Sequence, residues 1–167
     1  MSKYIILLTA ILLFACQEGL VPDSSDKTIV KTILSGKITY VGGLEKFPDS
    51  SKCFGIYVAA FKFLPKDTSG IMSEILAGNV YLKFESQPYP VESSLFEIEI
   101  PDAPMNLEYI VVSMKVDSAK IDAQIPIGVY TATGDNTKPT AIYMNKGDST
   151  FINIIVDFDN LPPISVK

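Results

Sequence analysis

The stretch FGIYVAAFKF, residues 54–63, is apolar on both of its alternating faces until Lys62 interrupts it. A strand with only one face on a core alternates apolar with polar, so a run this short and this uniform reads as a central strand covered on both sides. That points to a molecule built from layered strands, with residues 54–63 near the middle.

The neighbouring segments alternate, as strands with a single buried face should. In LFEIEI (95–100), Phe96, Ile98 and Ile100 face one way and Glu97 and Glu99 the other. NVYLKFE (79–85) sets Val80, Leu82 and Phe84 against Tyr81, Lys83 and Glu85. YIVVSMKV (109–116) places Ile110, Val112, Met114 and Val116 on one side. TFINIIVDF (150–158) sets Ile152, Ile154, Val156 and Phe158 against Phe151, Asn153, Ile155 and Asp157. Weaker strands fall at 36–41, 126–132 and 140–144.

Turn chemistry lies between them, in TGDNTKP (133–139) and NKGD (145–148), whose Gly, Asn and Asp favour tight reversals. Helical spacing occurs only in SGIMSEILAG (69–78), through Ile71, Ile75 and Leu76, enough for a turn or two in a loop. These segments predict an all-β chain, an antiparallel Greek-key β-sandwich of about seven to eight strands, with a closed barrel as the alternative.

The chain opens differently. Lys3 precedes an apolar run from Ile5 to Ala15, broken only by Thr9. The run is shorter than the roughly 20 residues a membrane span takes and suits the h-region of a secretory signal. Leu13-Phe14-Ala15-Cys16 resembles the lipobox of bacterial lipoproteins, with Phe14 bulkier than usual at its position. The resemblance implies acylation of Cys16 after cleavage before it, and an anchor in the cell envelope. The alternative is an ordinary signal peptide cut near Ala15.

Residues 1–15 are then a signal helix, 16–32 a polar flexible tether and 33–167 the sandwich domain. Gln17, in place of an aspartate, favours the outer membrane and leaves the periplasmic or surface side open. With Cys16 acylated, Cys53 has no intrachain partner and is expected as a small buried hydrophobe rather than a reactive thiol.

SGKITYVGG, GIYVAAFKF, IPIGVY and INIIVDF together resemble the transthyretin-like or carboxypeptidase regulatory-like sandwiches over roughly residues 33–160. The resemblance implies a fold carried by bacterial envelope lipoproteins, mostly as a non-catalytic module.

Composition narrows the chemistry. The 167 residues carry a net charge of −5, all their cations are lysines, and histidine and tryptophan are absent. Nucleic acid binding wants clustered cations, which are not visible here. Without histidine the commonest general base and the usual triads and zinc sets are missing. Glu97 and Glu99 stand about 6.6–6.8 Å apart along one strand face, a spacing near that of glycosidase carboxylates, but they read as a solvated stripe. Asp135, Asn136, Asp148, Asp157 and Asp159 offer oxygens to calcium, yet without EF-hand spacing; turn formation explains the first three.

No catalytic residue, cofactor or metal is therefore expected. Recognition residues are sought among the tyrosines: Tyr89 in the Pro-bracketed loop ESQPYPVESS (85–94), and Tyr143, with Tyr81 and Tyr130 as further outward candidates. Two functions stay open. One is a non-enzymatic, lipid-anchored envelope protein acting as an interaction or scaffolding module with a protein or glycan partner. The other is an envelope lipoprotein that captures a glycan, peptide or small molecule at its loop rim.

Overall fold

The computed structural model describes residues 30–65, 71–120 and 123–163; the expected signal segment, Cys16 and most of the tether lie outside them. Among the described residues there are nine strands, one short α-helix and a 3-10 turn at Leu44–Lys46. The fold is all-β.

Three strands form one sheet in the order β4-β1-β9, where β1 is Ile33–Val41, β4 is Ser93–Glu99 and β9 is Ser149–Asp157. Four form a second sheet in the order β3-β2-β6-β7, from Ile56–Phe61 (β2), Val80–Lys83 (β3), Tyr109–Lys115 (β6) and Gln124–Val129 (β7). Met105–Leu107 (β5) and Ile142–Met144 (β8) make a small ribbon of their own. The count exceeds the expected seven to eight because of β5, three residues too short to show a period.

The inward residues of both sheets meet in one core. Leu34 and Ile38 of β1, Phe96 and Ile98 of β4, and Ile152, Ile154 and Val156 of β9 pack with Ile56, Val58 and Ala60 of β2 and with Ile110, Val112 and Met114 of β6. Each of these but Ala60, whose methyl group adds less, contributes the roughly 1.5–3 kcal/mol expected of a fully buried large apolar side chain. Cys53 is buried in this cluster. FGIYVAAFKF is an interior strand, paired with β3 on one side and β6 on the other.

One pairing departs from the antiparallel expectation. β1 runs antiparallel to β4 but parallel to β9, from Ile33 beside Ser149 to Val41 beside Asp157. Parallel neighbours cannot be joined by a hairpin. Here residues 42–148 form the connection, and the first and last strands among the described residues lie side by side. Gly36 permits the close approach: a Cβ there would stand 2.4 Å from the Ile152 carbonyl oxygen and 2.6 Å from the Phe96 ring.

The edges of the elements also differ from the sequence pattern. β3 stops at Lys83, leaving Phe84 exposed, and β6 stops at Lys115, leaving Val116 exposed. Phe158 lies past the end of β9, where it meets Phe47 at 5.1 Å between ring centroids, with Tyr40 a further 4.8 Å from Phe47. The ordered body reaches upstream of residue 33. Thr32 is buried, its carbonyl accepts the Ile100 N–H and its hydroxyl accepts the Gly147 N–H.

Candidate functional site

The outer face of the four-stranded sheet is where a site forms. Cross-strand partners share a face, so the register lines up Phe61 with Val80 and Tyr109, Ala59 with Leu82 and Val111, and Val111 with Val129. All of these but Leu82, which is partly covered, are buried, although they point away from the main core. Their cover includes helix α1, Ile71–Leu76, whose Ile71 and Ile75 stack one turn apart onto this row.

The helix is short because its C-terminal end is closed at once. Ala77 N–H donates to Ser73 O, Gly78 N–H to Ile75 O and Asn79 N–H to Glu74 O, with Gly78 at φ 72°. The Asn79 amide then donates to the Glu74 carboxylate at 2.8 Å. A left-handed residue after the last turn is the usual glycine stop.

α1 covers only part of the row. Between it and the sheet lies a cavity of about 430 Å³, within the roughly 300–1,000 Å³ typical of small-molecule sites. Its floor is Ala59, Val111 and Leu82, and its two ends differ. At one end Phe61 and Tyr109 meet with ring centroids 5.8 Å apart, under Ile71 and Ile75. Burial there pushes the Tyr109 phenol up to about 12, so it stays neutral at any ordinary pH. At the other end stand Tyr57, Ser113, Lys115 and Gln124, with the Ser113 hydroxyl bonded to the Gln124 side-chain oxygen and Lys115 Nζ donating to Ser118 O at 3.3 Å, while Lys83 borders the cavity from edge strand β3, paired with Val58 of the main core.

A second cavity of about 350 Å³ opens between β7 and β9. Its lining is mixed, and its polar groups are largely occupied in holding loops: Asn136 donates to Asn160 O at 2.7 Å, and Asp157 accepts from Asp159 N–H.

The residues singled out from sequence lie elsewhere. Tyr89 is half-buried against the main core and its hydroxyl donates to Cys53 O, fastening the 85–94 loop to the start of β2. Tyr143 is 60% exposed on β8, opposite Asn106. The two are on different elements, and neither lines the larger cavity. Tyr81 packs on the main core and donates to Asp102 at 2.8 Å, while Tyr130 is partly buried against that core.

The carboxylates are engaged locally. Asp135 accepts from the Thr137 hydroxyl and N–H and pairs with Lys138, Asp148 accepts from Asn145, and Glu99 pairs with Lys31 at 2.8 Å while Glu97 stays exposed. Among the described residues no three acidic or thiol groups converge as a metal set would.

Sequence reasoning missed the cavity, though the signal was present. The outward Ala59 and Phe61 of FGIYVAAFKF demanded a cover, and Ile71 and Ile75 are the nearest apolar pair at helical spacing. Compared with protein-family models, curated proteins and solved structures, the chain matches none.

Proposed function

We propose that the chain is a non-enzymatic, lipid-anchored protein of the bacterial cell envelope whose β-domain captures a small apolar ligand. The observation that carries the binding role is the cavity of about 430 Å³ on the outer face of the four-stranded sheet, apolar along its floor and polar at one end. Such a lining, with a few polar groups to orient the ligand, is the usual build of a small-molecule site. It favours capture of a molecule over scaffolding, and a site beneath α1 over the loop rim.

The finer fold in this reading is a Greek-key β-sandwich of the transthyretin-like or carboxypeptidase regulatory-like kind. Its support is the strand order: the chain changes sheet from β1 to β2, from β3 to β4, from β4 to β6 and from β7 to β9. The anchor rests on Leu13-Phe14-Ala15-Cys16. Acyl chains contribute about 0.8 kcal/mol per buried CH₂, so two or more hold a protein stably at a membrane.

Two experiments test the parts separately. Expression of the precursor in a Gram-negative host, with mass spectrometry of the processed product, should give an acylated N-terminal Cys16; an unmodified cysteine refutes the anchor. A solvatochromic apolar dye should bind the full chain saturably and lose that binding in Ala59→Phe, which fills the floor of the cavity. Dye binding unchanged in a folded Ala59→Phe variant refutes the site.

A further inference from the structure

Three polar side chains are sealed into the molecule where the chain crosses from β3 to β4, through residues 84–92. Gln87 lies within the crossing, its N–H donating to Ile56 O at 2.7 Å. Ser94 stands just beyond it on β4, opposite Ile38, and Tyr40, two residues along β1 from Ile38, shares that inward face. The Tyr40 N–H in turn donates to Glu92 O at 3.0 Å, inside the same crossing. Gln87 is 2% exposed, Tyr40 6% and Ser94 7%.

Buried polar atoms are nearly always hydrogen-bonded, because stripping them of water without a replacement is costly. Thr32 and Ser113, buried elsewhere, follow the rule: Thr32 accepts the Gly147 N–H and Ser113 donates to Gln124. The group beneath the crossing does not. The Tyr40 hydroxyl, the Ser94 hydroxyl and both the nitrogen and the oxygen of the Gln87 amide have no hydrogen-bond partner among the described residues. Burial pushes the Tyr40 phenol up, and the Ser94 hydroxyl and Cys53 are the groups that face it. The Tyr89 hydroxyl, in the same crossing, is already taken by Cys53 O.

Two hydroxyls, an amide NH₂ and an amide oxygen present donors and acceptors together, with no carboxylate among them to hold a cation. That mixture is what a water molecule matches, since a buried water typically makes about three hydrogen bonds to groups left without other partners.

We propose that ordered water is built into the core beneath residues 84–92, bridging the Gln87 amide to the Tyr40 and Ser94 hydroxyls and so fastening the crossing to the inner faces of β1 and β4.

The test is oxygen-17 magnetic relaxation dispersion of the full chain, which registers water held far longer than surface water, beside thermal melts. Gln87→Leu keeps the bulk of the side chain and removes its amide. The contribution of long-held water should drop in this variant, and its melting temperature should fall by about 3 °C or more as the hydroxyls lose their bridge. An unchanged dispersion in a folded Gln87→Leu variant overturns the proposal. So does a melting temperature that stays level or rises, because removing an amide that bonds to nothing relieves a penalty.

Ser94→Ala, a smaller change, gives the same dispersion readout if Gln87→Leu does not fold. Groups joined through shared water should lose stability non-additively when both are changed. Strictly additive losses would mean that the two side chains share no bridge, and would overturn it as well.

Discussion

The two sheets are alike inside and unlike outside. β4 and β9 of the three-stranded sheet alternate buried with exposed residues, and their outward set includes Leu95, Glu97, Phe151, Asn153 and Ile155. The apolar members are kept apart by the β1 residues between them: Lys37 lies between Leu95 and Asn153, and Ser35 between Glu97 and Phe151. Scattered apolar residues on a wet sheet need no partner. On the four-stranded sheet the outward residues include Ala59, Phe61, Val80, Tyr109, Val111 and Val129, all buried. The lesson is that a second apolar face needs something over it. In this chain the cover is incomplete, and the space it leaves is the candidate site.

The comparison is broken most sharply by one substitution made on both faces. Phe61→Ala removes a buried ring packed against Tyr109 and should cost about 3–5 kcal/mol, whereas Phe151→Ala removes one that is 61% exposed and should stay within about 0.5 kcal/mol. Urea denaturation of the two variants gives the answer. Similar losses would mean the faces are not different in kind.

The inner face of the three-stranded sheet should be as unforgiving as its outer face is permissive. Gly36→Ala presses a methyl group against the Ile152 carbonyl and the Phe96 ring. The expected cost is about 1–3 kcal/mol from overpacking, read in the same denaturation series. An unchanged midpoint would mean that β1 and β9 are not held in this parallel register.

The smallest effect lies in the loop after β7. Hydrogen bonds from Thr137 and the nearby Lys138 hold the Asp135 carboxyl down to about 2, below its ordinary 3.8. A depressed carboxylate stabilises the fold above its unfolded value, and that contribution is lost as pH falls through the folded one. Acid unfolding between about pH 4 and pH 2 should therefore include a small component that Asp135→Asn removes. The pair lies at the solvent-accessible surface, so the two curves should differ only slightly; a large difference would mean that the loop does more than close a turn.

Much of the fold was legible because period two survives wherever a strand has one dry and one wet face. LFEIEI and TFINIIVDF gave both the strands and their inward residues. The parallel meeting of β1 with β9 was not legible, since no local feature of Ile33–Val41 records which distant strand will lie beside it. The ends were not legible either: Phe84 and Val116 continue the apolar alternation one residue beyond where pairing stops.

The site was half-visible. The double-sided apolarity of residues 54–63 announced a second covered face, but aromatic exposure directed attention to Tyr89 and Tyr143. A tyrosine carries a polar handle that serves structure as readily as recognition. The Tyr89 hydroxyl is held by the Cys53 carbonyl, a contact no spacing could reveal.

The most direct test of the account is a backbone-amide NMR titration of the full chain with the solvatochromic apolar dye. The account predicts that the largest shifts fall on Tyr57, Ala59, Val111, Ser113, Lys115 and the 71–76 helix, with Lys37, Leu95 and Phe151 unmoved. Shifts centred on the β4-β1-β9 face, or around Tyr89 and Tyr143 with the helix silent, would contradict it.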